Sequence, residues 1–150
     1  FTNKNGKGEI NMNDIQYEEK IPTPDEYNYI ADSVGWGTTE NQIIEIALNN
    51  SLYSICAYYG DKMIGYGRII GDKTMFLYIQ DIMVLPEYQL QKVGSYIMEK
   101  ILNKVKELKK LNPNIRTYVG PSKGIEGFYK KFGFIAREEA ELGKGMILKI

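Results

Sequence analysis

FLYIQDIMVLPEYQLQKVGS, Phe76 to Ser95, is the stretch around which the rest of the 150-residue chain is organised. Phe76 to Val84 is apolar except at Gln80 and Asp81. Such a run has the pattern of a strand buried on both faces. Pro86 ends it, because proline has no N–H to give to a ladder. A short polar loop, Glu87 to Gln91, leads into Lys92 to Lys110, where Val93, Ile97, Ile101, Val105 and Leu108 recur with Met98 and Leu102 beside them. That spacing is a helical stripe about five turns long. The stretch therefore reads as strand, tight loop, helix, with Gly94 in the first helical turn. The first N–H groups of a helix lack intrahelical partners and carry the positive end of its dipole. A glycine there lets an anion approach the backbone, and a phosphate is the natural guest. The plainer alternative is an ordinary connection with a packing glycine.

Composition bounds the rest. Nineteen basic and nineteen acidic residues balance, so no basic excess points to nucleic acid and no polybasic run points to a membrane surface. No apolar stretch reaches spanning length, and no signal-peptide pattern opens the chain. Cys56 is the single cysteine; the lack of a disulfide framework suits a reducing cytoplasm, and a buried hydrophobe is its plain reading. There is no histidine, which removes Ser–His and Cys–His nucleophiles and argues against a metal site of the zinc type. Acid–base work then falls to carboxylates, lysines, water or the twelve tyrosines.

In chain order, Phe1 to Asn11 is polar and aperiodic, a flexible tail or a remnant of expression, with residues 12–150 as one domain. Ile15 to Ile21 reads as a strand. Thr23, Pro24 and Glu26 form a capping box that opens a helix to about Ser33. Thr39 and Gln42 repeat the pattern before a helix to about Leu48. Between these helices lies Gly35-Trp36-Gly37, where Trp36 is either one wall of an acceptor pocket or a plug over the sheet. Leu52 to Tyr59, Met63 to Ile70 and Phe76 to Val84 are joined by short turns and form an antiparallel meander. Tyr66 and Arg68 share one face of the middle strand, as candidate acceptor contacts or as an aromatic with a solvated arginine. Asp81 is costly in so apolar a run if it is unpaired. Either the strand bulges there and the carboxylate reaches a pocket, or it caps neighbouring backbone; in the first case it is a candidate general base. Ile115 to Val119 follows the long helix as a parallel strand. A short helix, Gly124 to Lys131, is closed by Gly133, and Phe134 to Arg137 and Met146 to Ile150 read as two last strands.

Two motifs carry a resemblance. Gln89-Leu90-Gln91-Lys92-Val93-Gly94-Ser95, preceded by Val84-Leu85-Pro86-Glu87-Tyr88, resembles the Q/R-x-x-G-x-G/A motif of the GNAT (GCN5-related) acetyltransferases. Lys92 stands where that family usually has its first glycine. Gly127-Phe128-Tyr129-Lys130-Lys131-Phe132-Gly133-Phe134 resembles the family's F-Y-x-x-h-G-F motif, in the family's order; Ser122 and Ile125 stand where the family has asparagine and alanine.

The resemblance implies an α/β (α+β) fold. Its sheet is mixed and mostly antiparallel, of six to seven strands with about four helices, and it splays between the fourth and fifth strands. It implies acetyl-CoA as donor. The pantetheine would pair with the backbone of Ile82, Met83 and Val84, and the pyrophosphate would sit on the N–H groups of Gln89, Leu90, Gln91, Lys92, Val93, Gly94 and Ser95. Ser122 and Phe128 would line the same cofactor. The implied reaction is direct acetyl transfer to a primary amine of a small molecule or peptide. Tyr129 matches the tyrosine that protonates the leaving sulfur, and Asp81 through water is the first candidate base, with Glu40 behind it. The rival expectation is a non-catalytic acyl-CoA-binding or sensor module on the same fold. A homodimer through the closing strands fits the family. A protein-interaction domain unrelated to CoA is disfavoured by two motifs in register.

Overall fold

A computed structural model describes residues 11–149, so the expected tail lies outside the described residues except for Asn11. The chain forms two compact units, one ending at Val119 and one from Gly120 onward. The first unit holds β1 (Ile15–Glu18), α1 (Pro24–Ser33), α2 (Asn41–Asn49), β2 (Tyr53–Tyr59), β3 (Lys62–Gly71), β4 (Phe76–Val84), α3 (Val93–Leu108) and β5 (Arg116–Val119). The second holds α4 (Glu126–Lys130) and a 3-10 turn over Arg137–Ala140.

The sheet runs β1-β2-β3-β4-β5. The first four strands pair antiparallel and β5 joins β4 in parallel, as expected of a strand reached through a helix. The strand count is corrected: five strands form among the described residues. Phe134 to Ala136 is irregular, Arg137 opens a 3-10 turn, and residues 141–149 pair with no strand. Their residues have strand-like composition, but a strand exists only where a neighbouring ladder takes its N–H and C=O groups. Met146, Ile147 and Leu148 are instead 94%, 82% and 85% exposed.

Side-chain alternation builds the core. Val93, Ile97, Met98, Ile101 and Val105 form the buried stripe of α3, each aliphatic side chain worth roughly 1.5–3 kcal/mol on burial. α3 lies on β2, β3 and β4. It comes so close because Gly65 and Gly67 face it. A Cβ on Gly67 would stand 2.6 Å from Ile82 Cδ1, 2.8 Å from Ile97 Cγ2 and 2.9 Å from Ile101 Cδ1. Tyr66 and Arg68 consequently point to the opposite face, where α1 and α2 lie.

The capping box at Thr23 is present: Thr23 Oγ1 accepts from the Glu26 N–H at 3.2 Å, and Glu26 Oε2 accepts from the Thr23 N–H at 2.8 Å. The second box does not form. Asn28 of α1 takes both the N–H and the carbonyl of Thr39, so α2 begins at Asn41 with no side-chain cap. A tertiary clamp here displaces a local signal.

Candidate functional site at the β4 edge and the α3 N-terminus

β4 pairs with β5 only from Phe76 to Ile79, opposite Arg116 to Val119. Beyond Ile79, no strand among the described residues pairs with the side of β4 away from β3, so the backbone of Gln80 to Val84 is an unpaired strand edge. This is the splay expected between the fourth and fifth strands, and Ile82, Met83 and Val84 lie on it. Met83 is buried, while Ile82 and Val84 are partly exposed.

The edge leads into a loop with unspent donors. Pro86–Tyr88 forms a 3-10 turn; Gln89 Nε2 then donates to the Val84 carbonyl at 2.9 Å, and Gln91 Nε2 to the Glu87 carbonyl at 2.9 Å. These side chains fold the loop back onto the strand end. Leu90 and Lys92 both have left-handed backbone, with φ of 61° and 63°. A left-handed residue followed by a right-handed one, as Lys92 is by Val93 at the start of α3, turns successive N–H groups toward one side. Tyr96 is the first residue of α3 to bond back, to the Lys92 carbonyl at 3.0 Å. None of the N–H groups from Leu90 to Ser95 has an acceptor among the described residues. Val93 is buried beneath them, Gly94 and Ser95 are partly exposed, and the Leu90 side chain is wholly in solvent. Lys92 therefore keeps the conformation that a glycine takes without strain.

Asp81 sits in a bulge. Tyr66 pairs with Met83 and Arg68 with Gln80, so Asp81 and Ile82 together oppose Gly67. Asp81 has φ of 57°, a left-handed value that Asp tolerates better than most residues. Strict alternation would send its carboxylate toward Ile97 and Ile101. The extra residue sends Ile82 there, over Gly67, and Asp81 to the opposite face. Arg68 Nε donates to Asp81 Oδ2 at 2.6 Å, and the Tyr27 hydroxyl donates to the same oxygen at 3.1 Å. Arg68 Nη1 also donates to the Ala47 carbonyl and to Ser51 Oγ. The pair is little exposed, at 14% and 12% of the side chains. Burial, and then the Asp81 charge, push the Tyr27 phenol well above its usual range, so it remains a donor. Arg68 is thus paired and not a solvated arginine.

Tyr66 is fully buried beneath Tyr27, sharing a 2.8 Å hydrogen bond with Ser54 Oγ, and burial raises its phenol to about 12. Trp36 is half exposed on a turn whose glycines have φ of 84° and 76°. Cys56 is buried, its thiol raised to about 12 chiefly by burial, which matches the plain structural reading. In the second unit, Tyr129 is buried in an aromatic group with Phe128 and Phe134, at ring distances of 5.1 and 6.0 Å. Ser122 is exposed, and its carbonyl accepts from the Ile125 N–H. Tyr27 was not among the sequence candidates. It stands 54 residues before Asp81, and no local pattern joins the two.

Comparison with known proteins agrees with this geometry. Residues 27–148 match the profile of the acetyltransferase (GNAT) domain. A protein of unknown function from meticillin-resistant Staphylococcus aureus superposes with a TM-score of 0.81 at 31% identity, covering 91% of this chain and 99% of the other. A GNAT family acetyltransferase from Streptococcus pneumoniae superposes with a TM-score of 0.76 at 27% identity, covering 91% and 98%. An uncharacterized N-acetyltransferase, ycf52, of Gracilaria tenuistipitata is 29% identical over 119 residues, 76% of this chain and 63% of that protein. The chain spans 52% to 63% of the length of the curated relatives it matches.

Proposed function

This chain belongs to the GNAT acetyltransferase family, and on that premise we propose that it transfers an acetyl group from acetyl-CoA directly to a primary amine of a small molecule or peptide. The observation that carries the donor assignment is the run of acceptor-less N–H groups from Leu90 to Ser95, continuous with the open β4 edge. A chain of unpaired donors at a helix N-terminus suits a pyrophosphate. An unpaired strand edge suits an arm that carries amides. Acetyl-CoA would supply the activated thioester.

The chain's own residues then divide the work. Backbone N–H groups at Ile82 to Val84 hold the arm in register and polarise the thioester carbonyl. Gln89 anchors the loop to the end of β4. As the amine attacks, its nitrogen bonds to the acetyl carbon, the C–S bond breaks and thiolate departs. Tyr129, matched through its motif, gives that sulfur its proton. A phenol can do so because its ordinary pKa lies only about 1.5 units above that of a thiol. The protonated amine must first shed one proton, for which Asp81 through water is the proposed acceptor, and the second proton that nitrogen loses as the amide forms restores the Tyr129 phenol. Both protein donors to Asp81 converge on Oδ2, which leaves Oδ1 for that water. Much of the rate comes from holding the amine in line. The cytoplasm is the proposed compartment, supported by the absence of any disulfide framework.

Thermal unfolding with excess acetyl-CoA tests the donor. A ligand at 100 times its dissociation constant adds about 2.7 kcal/mol, several degrees for a chain of this size. A flat response over a wide concentration range refutes the donor site. Tyr129→Phe is expected to lower turnover at least tenfold with acetyl-CoA affinity nearly intact. Undiminished turnover removes Tyr129 from the acid role. Acetyl-CoA binding without transfer to any amine in a broad panel would instead favour the binding or sensor module.

A further inference from the structure

We propose that Tyr27 and Arg68 are positioning residues for the donor: through Asp81 they hold the β4 bulge, and the bulge sets the direction of the backbone groups at Ile82 to Val84. The inference rests on reading the open β4 edge as the seat of the acyl-CoA arm.

A left-handed residue in the middle of a strand is strained and persists only where its surroundings over-determine it. At Asp81 the surroundings come from three elements. Tyr27 reaches its Oδ2 from α1, and Arg68 reaches the same oxygen from β3. Arg68 is itself fixed by the Ala47 carbonyl, in the last turn of α2, and by Ser51 Oγ. The negative end of the α2 dipole favours the guanidinium there. The bulge and the network need one another. Without the bulge, Asp81 would face the apolar side chains of α3; without Tyr27 and Arg68, a little-exposed carboxylate would be left unpaired. Ile82 seals the arrangement, occupying the space over Gly67 that any Cβ would take. The residues that follow the bulge are the ones on the open edge, so whatever fixes Asp81 also fixes their orientation. Tyr27, Arg68 and Asp81 make no hydrogen bond to the anion loop from Leu90 to Ser95, which is held through Gln91 to the Glu87 carbonyl and through Gln89 to the Val84 carbonyl at the far end of the edge.

That separation supplies the test. Adenosine 3′,5′-bisphosphate (3′,5′-ADP) keeps the first phosphate of the donor's pyrophosphate and lacks the pantetheine arm, so it engages only the anion loop, whereas acetyl-CoA engages the loop and the edge. Calorimetric titration of the whole chain with each probe should show Tyr27→Phe and Arg68→Lys weakening acetyl-CoA at least fivefold, with 3′,5′-ADP held within twofold. Asp81→Gly should behave like them. Asp81→Asn keeps an acceptor oxygen and tolerance of the left-handed backbone, so it should retain acetyl-CoA affinity while losing turnover. Unchanged acetyl-CoA affinity in Tyr27→Phe and Arg68→Lys overturns the inference, as does equal weakening of both probes, which marks a general structural role. If the wild-type protein binds acetyl-CoA no more tightly than 3′,5′-ADP, the reading of the edge fails first, and the inference with it.

Discussion

Lys92 shows how a residue can depart from a motif without departing from its geometry. Its φ of 63° is the conformation that glycine adopts freely and other L-residues adopt at a cost of about 1–2 kcal/mol. Part of that strain is offset because lysine has less unfolded-state freedom to lose than glycine. Lys92→Gly should therefore unfold at the same midpoint or slightly higher, a gain of at most about 1 kcal/mol by chemical denaturation. A loss of stability would show that the lysine side chain makes a contribution the backbone does not explain. Asp81 is the complementary case. The sequence marks it as costly in its strand and leaves two explanations standing. The bulge is present and the carboxylate meets Arg68 and Tyr27, a placement that only the paired register of β3 and β4 shows.

At the scale of elements, the start of α1 was legible because its signal is local. Thr23 and Glu26 are three residues apart and satisfy each other's backbone. Glu26 also accepts from the Tyr58 hydroxyl of β2 at 2.8 Å. Burial raises the Glu26 pKa, but the bonds from Thr23 and Tyr58 outweigh it and leave the carboxyl below its usual value. A carboxyl whose folded pKa lies below the unfolded one stabilises the fold above the unfolded value, about 4.3, and loses that contribution as pH falls through the folded value. Thermal unfolding of Glu26→Gln should thus show a deficit at pH 7 that closes toward pH 3. A deficit independent of pH would assign the effect to lost packing. The start of α2 carried the same local signal at Thr39 and Gln42, yet Asn28 overrides it from another helix. Capping patterns compete with tertiary hydrogen bonds, and the sequence does not show the competitor.

Across the whole molecule, the closing segment separates composition from structure. The N–H groups from Gly143 to Lys149 have no acceptor among the described residues, although Met146, Ile147 and Leu148 would suit a strand. Hydrogen exchange read by mass spectrometry should find these amides nearly unprotected while β2, β3 and β4 exchange only through global opening. Protection of Met146 to Lys149 at the level of β3 would mean that a ladder forms there in solution, as between two copies of the chain. By itself, the sequence determined the meander of β2 to β4, the parallel return through α3, and the loop of free N–H groups at the α3 N-terminus. Those features follow from apolar periodicity, turn residues and free helix donors, all set by neighbours along the chain. Only the tertiary structure decided that pairing of β4 with β5 stops at Ile79, that Asp81 turns toward α1, and that Tyr27 and Arg68 meet it. These depend on strand register and on side chains far apart in sequence, for which a linear pattern holds no distance.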